Sequence, residues 1–239
     1  MGIAYLRALR KTRAAHGFAP EAYTVTRLGA GYRTDTLIEG EYPSATALRA
    51  AISERGIDAV RNYMPASSHK LLGEAIARGD APASMERLTS AILTFFRLAD
   101  ASALSKIAEL GNGLEHRLCR AACDSSTLAQ FFAAASTKKY TDARIRRAVF
   151  YAMLGVTRED LERLPSYTLL LGANSAGRAV LSELRRRETN IPIITKPADA
   201  QAAASRQYAL SLAADALFTQ VLPQPRPVSY FLKKSAVIL

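Results

Sequence analysis

Cysteine and histidine are scarce in this sequence. Cys119 and Cys123 are the only cysteines, which excludes a disulfide framework and fits the reducing environment of the cytoplasm. Histidine occurs only at positions 16, 69 and 116, so Ser-His-Asp or Cys-His catalysis has little support. We therefore expect a cytoplasmic protein whose function depends on other residue types.

Long apolar runs are also missing. No stretch approaches the roughly 20 consecutive apolar residues that a membrane span needs. The first 17 residues lack the apolar core and the cleavage site of a secretory signal. With 49% hydrophobic residues in a chain of 239, the sequence can nevertheless bury a sizeable core. It predicts a globular protein without a membrane partner.

Acidic residues are in deficit. The chain has 21 Asp and Glu against 32 Lys and Arg, which gives a net charge of +11. This balance favours a polyanionic partner, with nucleic acid ahead of membrane, although many basic proteins bind neither. The excess is concentrated in TKKYTDARIRR at 137–147, where five cations accompany one acid. Because a solvated face normally mixes both signs, we interpret this cluster as an RNA-binding face.

The spacing within the cluster supports that interpretation. In a helix that starts near residue 142, Arg144 and Arg147 are three positions apart, whereas Ile145 and Val149 occupy another face. Arginine forks suit phosphate, and a tyrosine can stack on an exposed base. The predicted RNA-binding residues are Arg117, Arg120, Lys138, Lys139, Tyr140, Arg144, Arg146 and Arg147.

The pattern of apolar and β-branched residues changes twice along the chain. The expected fold class is α/β plus all-α. Residues 1–64 have helical spacing over the first seventeen positions and an alternating, β-branched stretch at 22–31 that predicts a strand. A second helix there could be capped by Ser44 and ended by Gly56. Residues 65–164 have helical period almost throughout, which predicts a helical domain.

The last part, residues 165–239, predicts a returning βαβ segment followed by a C-terminal tail. The expected elements are strands at 167–171, 191–195 and 236–239 and helices at 175–188 and 200–219.

Two further patterns have alternative interpretations. GANSAGR at 172–178 lies between a predicted strand and a predicted helix, where helix amides could bind phosphate. It lacks the lysine of a P-loop and does not fit G-x-G-x-x-G, so a plain turn is favoured. His116, Cys119 and Cys123 share one helix face, but structural zinc needs four ligands. No protein-bound metal is therefore predicted.

Several short segments of the sequence, taken together, resemble the tRNA(Met) cytidine acetate ligase family. They occur in the family order and cover most of residues 1–196. The matching segments are LRALRK, YTVTRLGAGYRTD, PSATALR, GLEHRL, TKKYTDARIRR and YTLLLGANSAGRAVLSELRRRETNIPIITK.

The resemblance implies an ATP-dependent ligase of the nucleotidyltransferase superfamily. Such enzymes activate acetate as acetyl-adenylate, with Mg²⁺ expected beside the ATP, and then acetylate N4 of the wobble cytidine in elongator tRNA(Met). The implied partners are ATP, acetate and tRNA. Arg27 matches an ATP-binding arginine of the family, and Ser44 and Thr46 of SATALR match a phosphate-side S-x-T-x-x-R motif. The basic cluster at 137–147 would belong to the tRNA-binding surface.

One departure from the family pattern affects the catalytic site. The family's nucleotidyltransferase half begins with a strand and an H-x-G-H loop that grips ATP phosphates, and this sequence contains neither. The resemblance therefore implies the rear part of a Rossmann-like nucleotidyltransferase domain at 1–64, a helical RNA-binding domain at 65–164, and the βαβ segment. We expect the catalytic residues to be missing and the chain alone to be inactive. A late start codon, a split gene that encodes the N-terminal half separately, and a shortened chain stay open as explanations.

Two other functions stay open. One is a stand-alone RNA-binding protein without catalysis. The other is an unrelated nucleotide-binding enzyme that uses the turn at 172–178.

Overall fold

The computed structural model divides the chain into two compact units, Met1–Gly73 and Glu74–Leu239. The residues that it describes are 2–17, 20–26, 28–29, 31, 34–187, 191–203 and 205–239. Among these residues, no helix is both long enough and apolar enough to cross a membrane.

The first unit contains the two helices that the sequence predicts. They are α1 (Gly2–His16) and α2 (Ala45–Arg55), followed by a 3-10 helix at Ile57–Tyr63 and the start of α3 (Ala66–Ala77). Ser44 begins α2 as expected, because its hydroxyl accepts a hydrogen bond from the amide of Ala47 at 3.0 Å.

The strand predicted at 22–31 is wrong for the residues that the structure describes there. Residues 22–26, 28–29 and 31 have no strand assignment, and those at 22–26 are exposed. A strand requires a neighbour that pairs with its backbone N–H and C=O groups. Alternating β-branched residues favour an extended backbone, but they do not supply that neighbour. Arg27 lies outside the described residues.

The predominance of helices that the sequence predicts for residues 65–164 is confirmed. After a 3-10 helix at Met85–Leu88, the helices are α4 (Thr89–Leu98), α5 (Ala101–Leu104), α6 (Leu114–Cys123), α7 (Leu128–Ala135), α8 (Asp142–Leu154) and α9 (Arg158–Glu162). The apolar faces of α4 to α8 form one core, in which the Phe96 and Phe131 ring centroids lie 5.7 Å apart. Gly155 ends α8 at φ 66°, a left-handed conformation that glycine adopts at low cost.

The βαβ unit is confirmed, with shorter strands than predicted. Its elements are β1 (Thr168–Leu169), β2 (Gly172–Ala173), α10 (Ser175–Arg186) and β3 (Ile193–Ile194). The tail adds a 3-10 helix at Pro197–Ala203, α11 (Arg206–Gln220), α12 (Ser229–Leu232) and β4 (Val237–Ile238). β1 is parallel to β3, and β2 is parallel to β4, which confirms the final strand.

A buried carboxylate joins α9 to the start of α11. The side chain of Asp160 is 4% exposed. Its two oxygens accept hydrogen bonds from Nε and Nη2 of Arg206, at 3.0 and 2.9 Å. Thr157 donates to the same carboxylate through its amide and its hydroxyl. The hydrogen bonds from Arg206 lower the pKa of Asp160 far below its usual range.

A second carboxylate links segments that are far apart in sequence. The carboxylate of Asp80 accepts a hydrogen bond from the hydroxyl of Tyr230 at 2.8 Å and another from Nε of Arg226 at 3.2 Å. These partners are 150 and 146 residues away in sequence. Arg226 also donates to the carbonyl of Arg78. The hydrogen bond from Tyr230 is the main cause that lowers the pKa of Asp80.

Candidate nucleic-acid interface

The basic face is carried mainly by α8. Ile145 and Val149 are fully buried and anchor this helix in the core, as the spacing predicted. Arg146 and Arg147 are exposed, and Arg144 is partly exposed. The apolar continuation of the cluster therefore fixes the position of the cations, because a helix anchored along one face holds its other face rigidly.

Two arginines of this face converge on one acid that precedes them in sequence. Oε1 of Glu109 lies 3.1 Å from Nη2 and 3.3 Å from Nε of Arg147. Oε2 of Glu109 lies 3.2 Å from Nε of Arg144. The main-chain oxygen of Glu109 accepts Nη2 of Arg144, also at 3.2 Å. Glu109 thus offsets part of the positive charge that the sequence concentrates at 137–147.

Tyr140 is enclosed instead of projecting into solvent. It is 6% exposed, and its hydroxyl donates to the carbonyl of Asn112 at 2.9 Å. Nζ of Lys139 and the guanidinium carbon of Arg144 each lie 5.1 Å from its ring centroid. In this structure two cations lie near the ring, and it has little free surface on which a base could stack.

The remaining predicted RNA-binding residues have different surroundings. Arg117 donates to the carbonyls of Ala134 and Ala135, both at 2.8 Å, and so caps the C-terminal end of α7. Arg146 lies 4.3 Å above the ring of Phe132. Within the described part of the chain, Lys138 and Arg120 are exposed and have neither an ion pair nor a hydrogen bond to a side chain.

Glu109 and Asn112 are residues of this candidate site that the sequence interpretation missed. Glu109 lies 35 to 38 positions before its arginine partners, so no local spacing indicates the contact. Both have positive φ angles, 65° for Glu109 and 56° for Asn112, which are uncommon outside glycine. No sequence signal would have placed them beside α8.

The ATP-site residues implied by the resemblance are only partly accessible. Ser44 is 2% exposed, and its hydroxyl donates to the carbonyl of Thr34 while it accepts from Ala47. Its capping role therefore uses most of its bonding capacity. Thr46 is exposed in the first turn of α2, and Arg27 lies outside the described residues.

The other two sequence patterns are the turn at 172–178 and the helix face with the two cysteines, and both have surroundings that are common in folded proteins. Oδ1 of Asn174 accepts the amide of Gly177 at 2.9 Å, so one of the turn amides is already used. Cys119 is half-buried, and this burial raises the pKa of its thiol. Cys123 is exposed. The described residues contain no group of three or more His, Cys, Asp or Glu that could hold a metal ion.

A separate cavity of about 440 Å³ lies between the β1–β2 segment and α11. Its walls are mostly apolar, and it also contains the partly buried carboxyl of Asp215, whose pKa is raised by burial. Asp215 has no hydrogen bond or ion pair among the described residues.

Comparison with known proteins gives one consistent family. The model of the HIGH Nucleotidyl Transferase family matches residues 1–230. The tRNA(Met) cytidine acetate ligase of Caldanaerobacter subterraneus subsp. tengcongensis is 32% identical over 200 residues, which are 83% of this chain and 48% of that protein.

Two solved structures of Thermotoga maritima TmcAL are similar as well. The apo crystal structure has a TM-score of 0.84 at 26% identity and covers 95% of this chain and 58% of the other. The structure bound with alpha-thio ATP has a TM-score of 0.74 at 25% identity and covers 84% and 53%. The chain spans about half the length of the curated relatives it matches. It belongs to the HIGH nucleotidyltransferase family, and its relatives there are tRNA(Met) cytidine acetate ligases.

Proposed function

We propose that this chain acts in tRNA modification, as the tRNA-holding part of an ATP-dependent tRNA(Met) cytidine acetate ligase. The relatives named above support the reaction class, and the basic face of α8 supports the partner. In this proposal residues 65–164 form the RNA-binding domain. Residues 1–64 form part of the nucleotidyltransferase domain, and residues 165–239 form the returning segment.

The observation that carries the proposal is the set of exposed cations held on a rigid helix. Arg146 and Arg147 project from α8, and Lys138 and Lys139 precede it. Phosphates of folded RNA are the matching ligands, because cations at fixed spacing neutralise a regular row of anions. We propose that Tyr140 holds Lys139 and Arg144 in place, and that Arg117 supports the face by capping α7.

A tRNA-binding measurement with matched charge changes tests this proposal. Reversing Lys138 and Lys139 to Glu should weaken tRNA binding at least tenfold. It should also make the log–log salt slope shallower by about 0.7–0.9 for each phosphate that the variant no longer neutralises. The control reverses Lys70 and Lys233, two exposed lysines, and makes the same change in net charge. Equal weakening in both double variants would mean that net charge alone attracts the RNA, and the proposed face would be rejected.

ATP with Mg²⁺, together with acetate, is the proposed small-substrate set. The similarity to a TmcAL structure bound with alpha-thio ATP supports ATP. The proposed contacts are Arg27 and Thr46, which is exposed at the start of α2. Ser44 caps the N-terminal end of that helix. Amides at a helix N-terminus favour an anion, which agrees with a phosphate near Thr46.

We also propose that these residues alone do not form acetyl-adenylate. The sequence has no H-x-G-H, and groups that act together in catalysis lose most of their effect when one is missing. Acetate-dependent exchange of labelled pyrophosphate into ATP should therefore be absent with this chain. It should appear when a polypeptide carrying H-x-G-H is added, and Arg27→Ala should abolish it.

The exchange assay separates the alternatives. Robust exchange with the chain alone would overturn this part of the proposal and favour an enzyme that uses another nucleotide site. A second candidate is an RNA-binding protein without catalysis, which the exposed cations of α8 would support equally. That candidate predicts tRNA binding without exchange in any mixture.

A further inference from the structure

We propose that the carboxylate of Glu109 occupies the position of an RNA phosphate, and that bound RNA displaces it from Arg144 and Arg147. The inference rests on the proposed function, since it concerns the same basic face. It identifies one phosphate-binding position and assigns Glu109 the role of an internal competitor for that position.

The two guanidinium groups already surround an anion. Oε1 of Glu109 accepts both Nε and Nη2 of Arg147, at 3.3 and 3.1 Å, and Oε2 lies 3.2 Å from Nε of Arg144. Guanidinium forks bind carboxylate and phosphate by the same geometry, in which two N–H groups meet oxygens of one anion. A site that holds a carboxylate in this way therefore has the donors that a phosphate requires.

The carboxylate leaves one of these donors unsatisfied. Nε of Arg144 is buried and makes no hydrogen bond within the described part of the chain, although Oε2 of Glu109 lies 3.2 Å away. The two groups attract each other as charges, but the N–H is not directed at the oxygen. A carboxylate and a backbone phosphate each carry one negative charge on two free oxygens, but the carboxylate is planar whereas the phosphate is tetrahedral. The phosphate can therefore meet the two guanidinium groups from directions that Glu109 does not offer.

The position is open to solvent, so an incoming phosphate can reach it. The side chains of Glu109 and Arg144 are 27% and 33% exposed, and that of Arg147 is 52% exposed. Ion pairs at such partly exposed positions contribute little net stability, because water screens both partners. Displacing the Glu109 carboxylate therefore has a small free-energy cost, and a polyanion with many neighbouring phosphates can offset it.

Arg144 stays in place when the carboxylate leaves, because it has two further contacts. Nη2 of Arg144 is also bonded to the main-chain oxygen of Glu109, and its guanidinium lies 5.1 Å from the ring centroid of Tyr140. Arg158 donates to the carbonyl of Leu110 at 3.0 Å and so fixes the backbone just after Glu109. Only the Glu109 side chain has to rotate outward. The carboxylate and the phosphate thus occupy the same position in turn, beside an Arg144 and a backbone that are held by other contacts.

The test replaces Glu109 by Gln, which keeps the shape of the side chain and removes its charge. Glu109→Gln should bind tRNA about fivefold more tightly at low salt, since a like charge about 4 Å from a phosphate disfavours binding by roughly that factor in water. Inorganic phosphate should compete with tRNA at a lower concentration for this variant than for the wild type. The matched control is Glu162→Gln, an exposed acid of α9, which should leave both values unchanged.

The outcomes separate this inference from the proposed function. If neither the wild type nor Glu109→Gln binds tRNA, the proposed function fails, and the inference fails with it. If both bind, but Glu109→Gln binds equally or less tightly, Glu109 only orients the arginines and the inference alone is overturned. Unchanged competition by inorganic phosphate would overturn it as well. A thermal melt of each variant verifies that the fold is intact, so that weaker binding is not caused by unfolding.

Discussion

Replacing Arg206 by alanine should destabilise the second unit by removing the main partner of a buried carboxylate. Charge-assisted hydrogen bonds contribute about 1.5–3 kcal/mol each, and breaking a fully buried ion pair costs about 3–5 kcal/mol. Asp160 is 4% exposed but Arg206 is 40% exposed, so water reaches one side of the pair and screens it. We therefore expect Arg206→Ala to lower the free energy of unfolding by about 2 kcal/mol.

The effect should depend on pH with a definite sign. Arg206 lowers the pKa of Asp160 in the folded protein below the unfolded value of about 3.9. Such a group stabilises the fold fully above the unfolded pKa, and this contribution is lost as the pH falls towards the folded pKa. The difference between wild type and Arg206→Ala should therefore be full at pH 7 and clearly smaller near pH 2.

Urea denaturation followed by far-UV circular dichroism at both pH values measures this difference. Arg163→Ala is the matched control, because Nε of Arg163 lies 3.7 Å from the same carboxylate and its side chain is 60% exposed. We expect that control to cost less than about 0.5 kcal/mol. A penalty for Arg206→Ala that is the same at both pH values, or that matches the control, would refute the reasoning.

Three further changes test other parts of the structure. Tyr140→Phe leaves the carbonyl of Asn112 without its donor and should cost about 1 kcal/mol in urea denaturation. Cys123 is exposed and Cys119 half-buried, so alkylation by iodoacetamide in the folded state should be faster at Cys123, as mass spectrometry can show. Burial raises the pKa of Asp215, so its ionisation weakens the fold as the pH rises above about 4. Asp215→Asn should be neutral near pH 3 and stabilising at pH 7, and equal effects at both pH values would contradict this assignment.

Local periodicity carried most of the secondary-structure prediction. The spacing of Ile145 and Val149 predicted which face of α8 is buried, and the strand-helix-strand texture predicted the parallel pair β1 and β3. These features depend on neighbours within one or two turns. The strand predicted at 22–31 failed because strand formation requires a distant partner, which no local pattern reveals.

The candidate site was harder to predict, because its decisive contacts are not local. The sequence identified the cations of α8 but not the carboxylate of Glu109 that two of them share. It placed Tyr140 among groups available to RNA, whereas its hydroxyl reaches the carbonyl of Asn112, 28 residues earlier. Arg117 was counted as an RNA contact, but its guanidinium is bonded to the end of α7. Charge can be read from sequence, but the partners that neutralise it cannot.

The contact of Asp80 with Arg226 and Tyr230 has a consequence for the order of folding. Arg97 and Arg117 donate to main-chain carbonyls only 17 to 28 residues away, so the helical part can form from local contacts while later residues are still unfolded. The Asp80 contact instead closes a loop of about 150 residues, whose entropy cost grows with the logarithm of loop length. We expect it to form last. In native-state hydrogen exchange, the amides next to Asp80 and Tyr230 should open before those of α6 and α8.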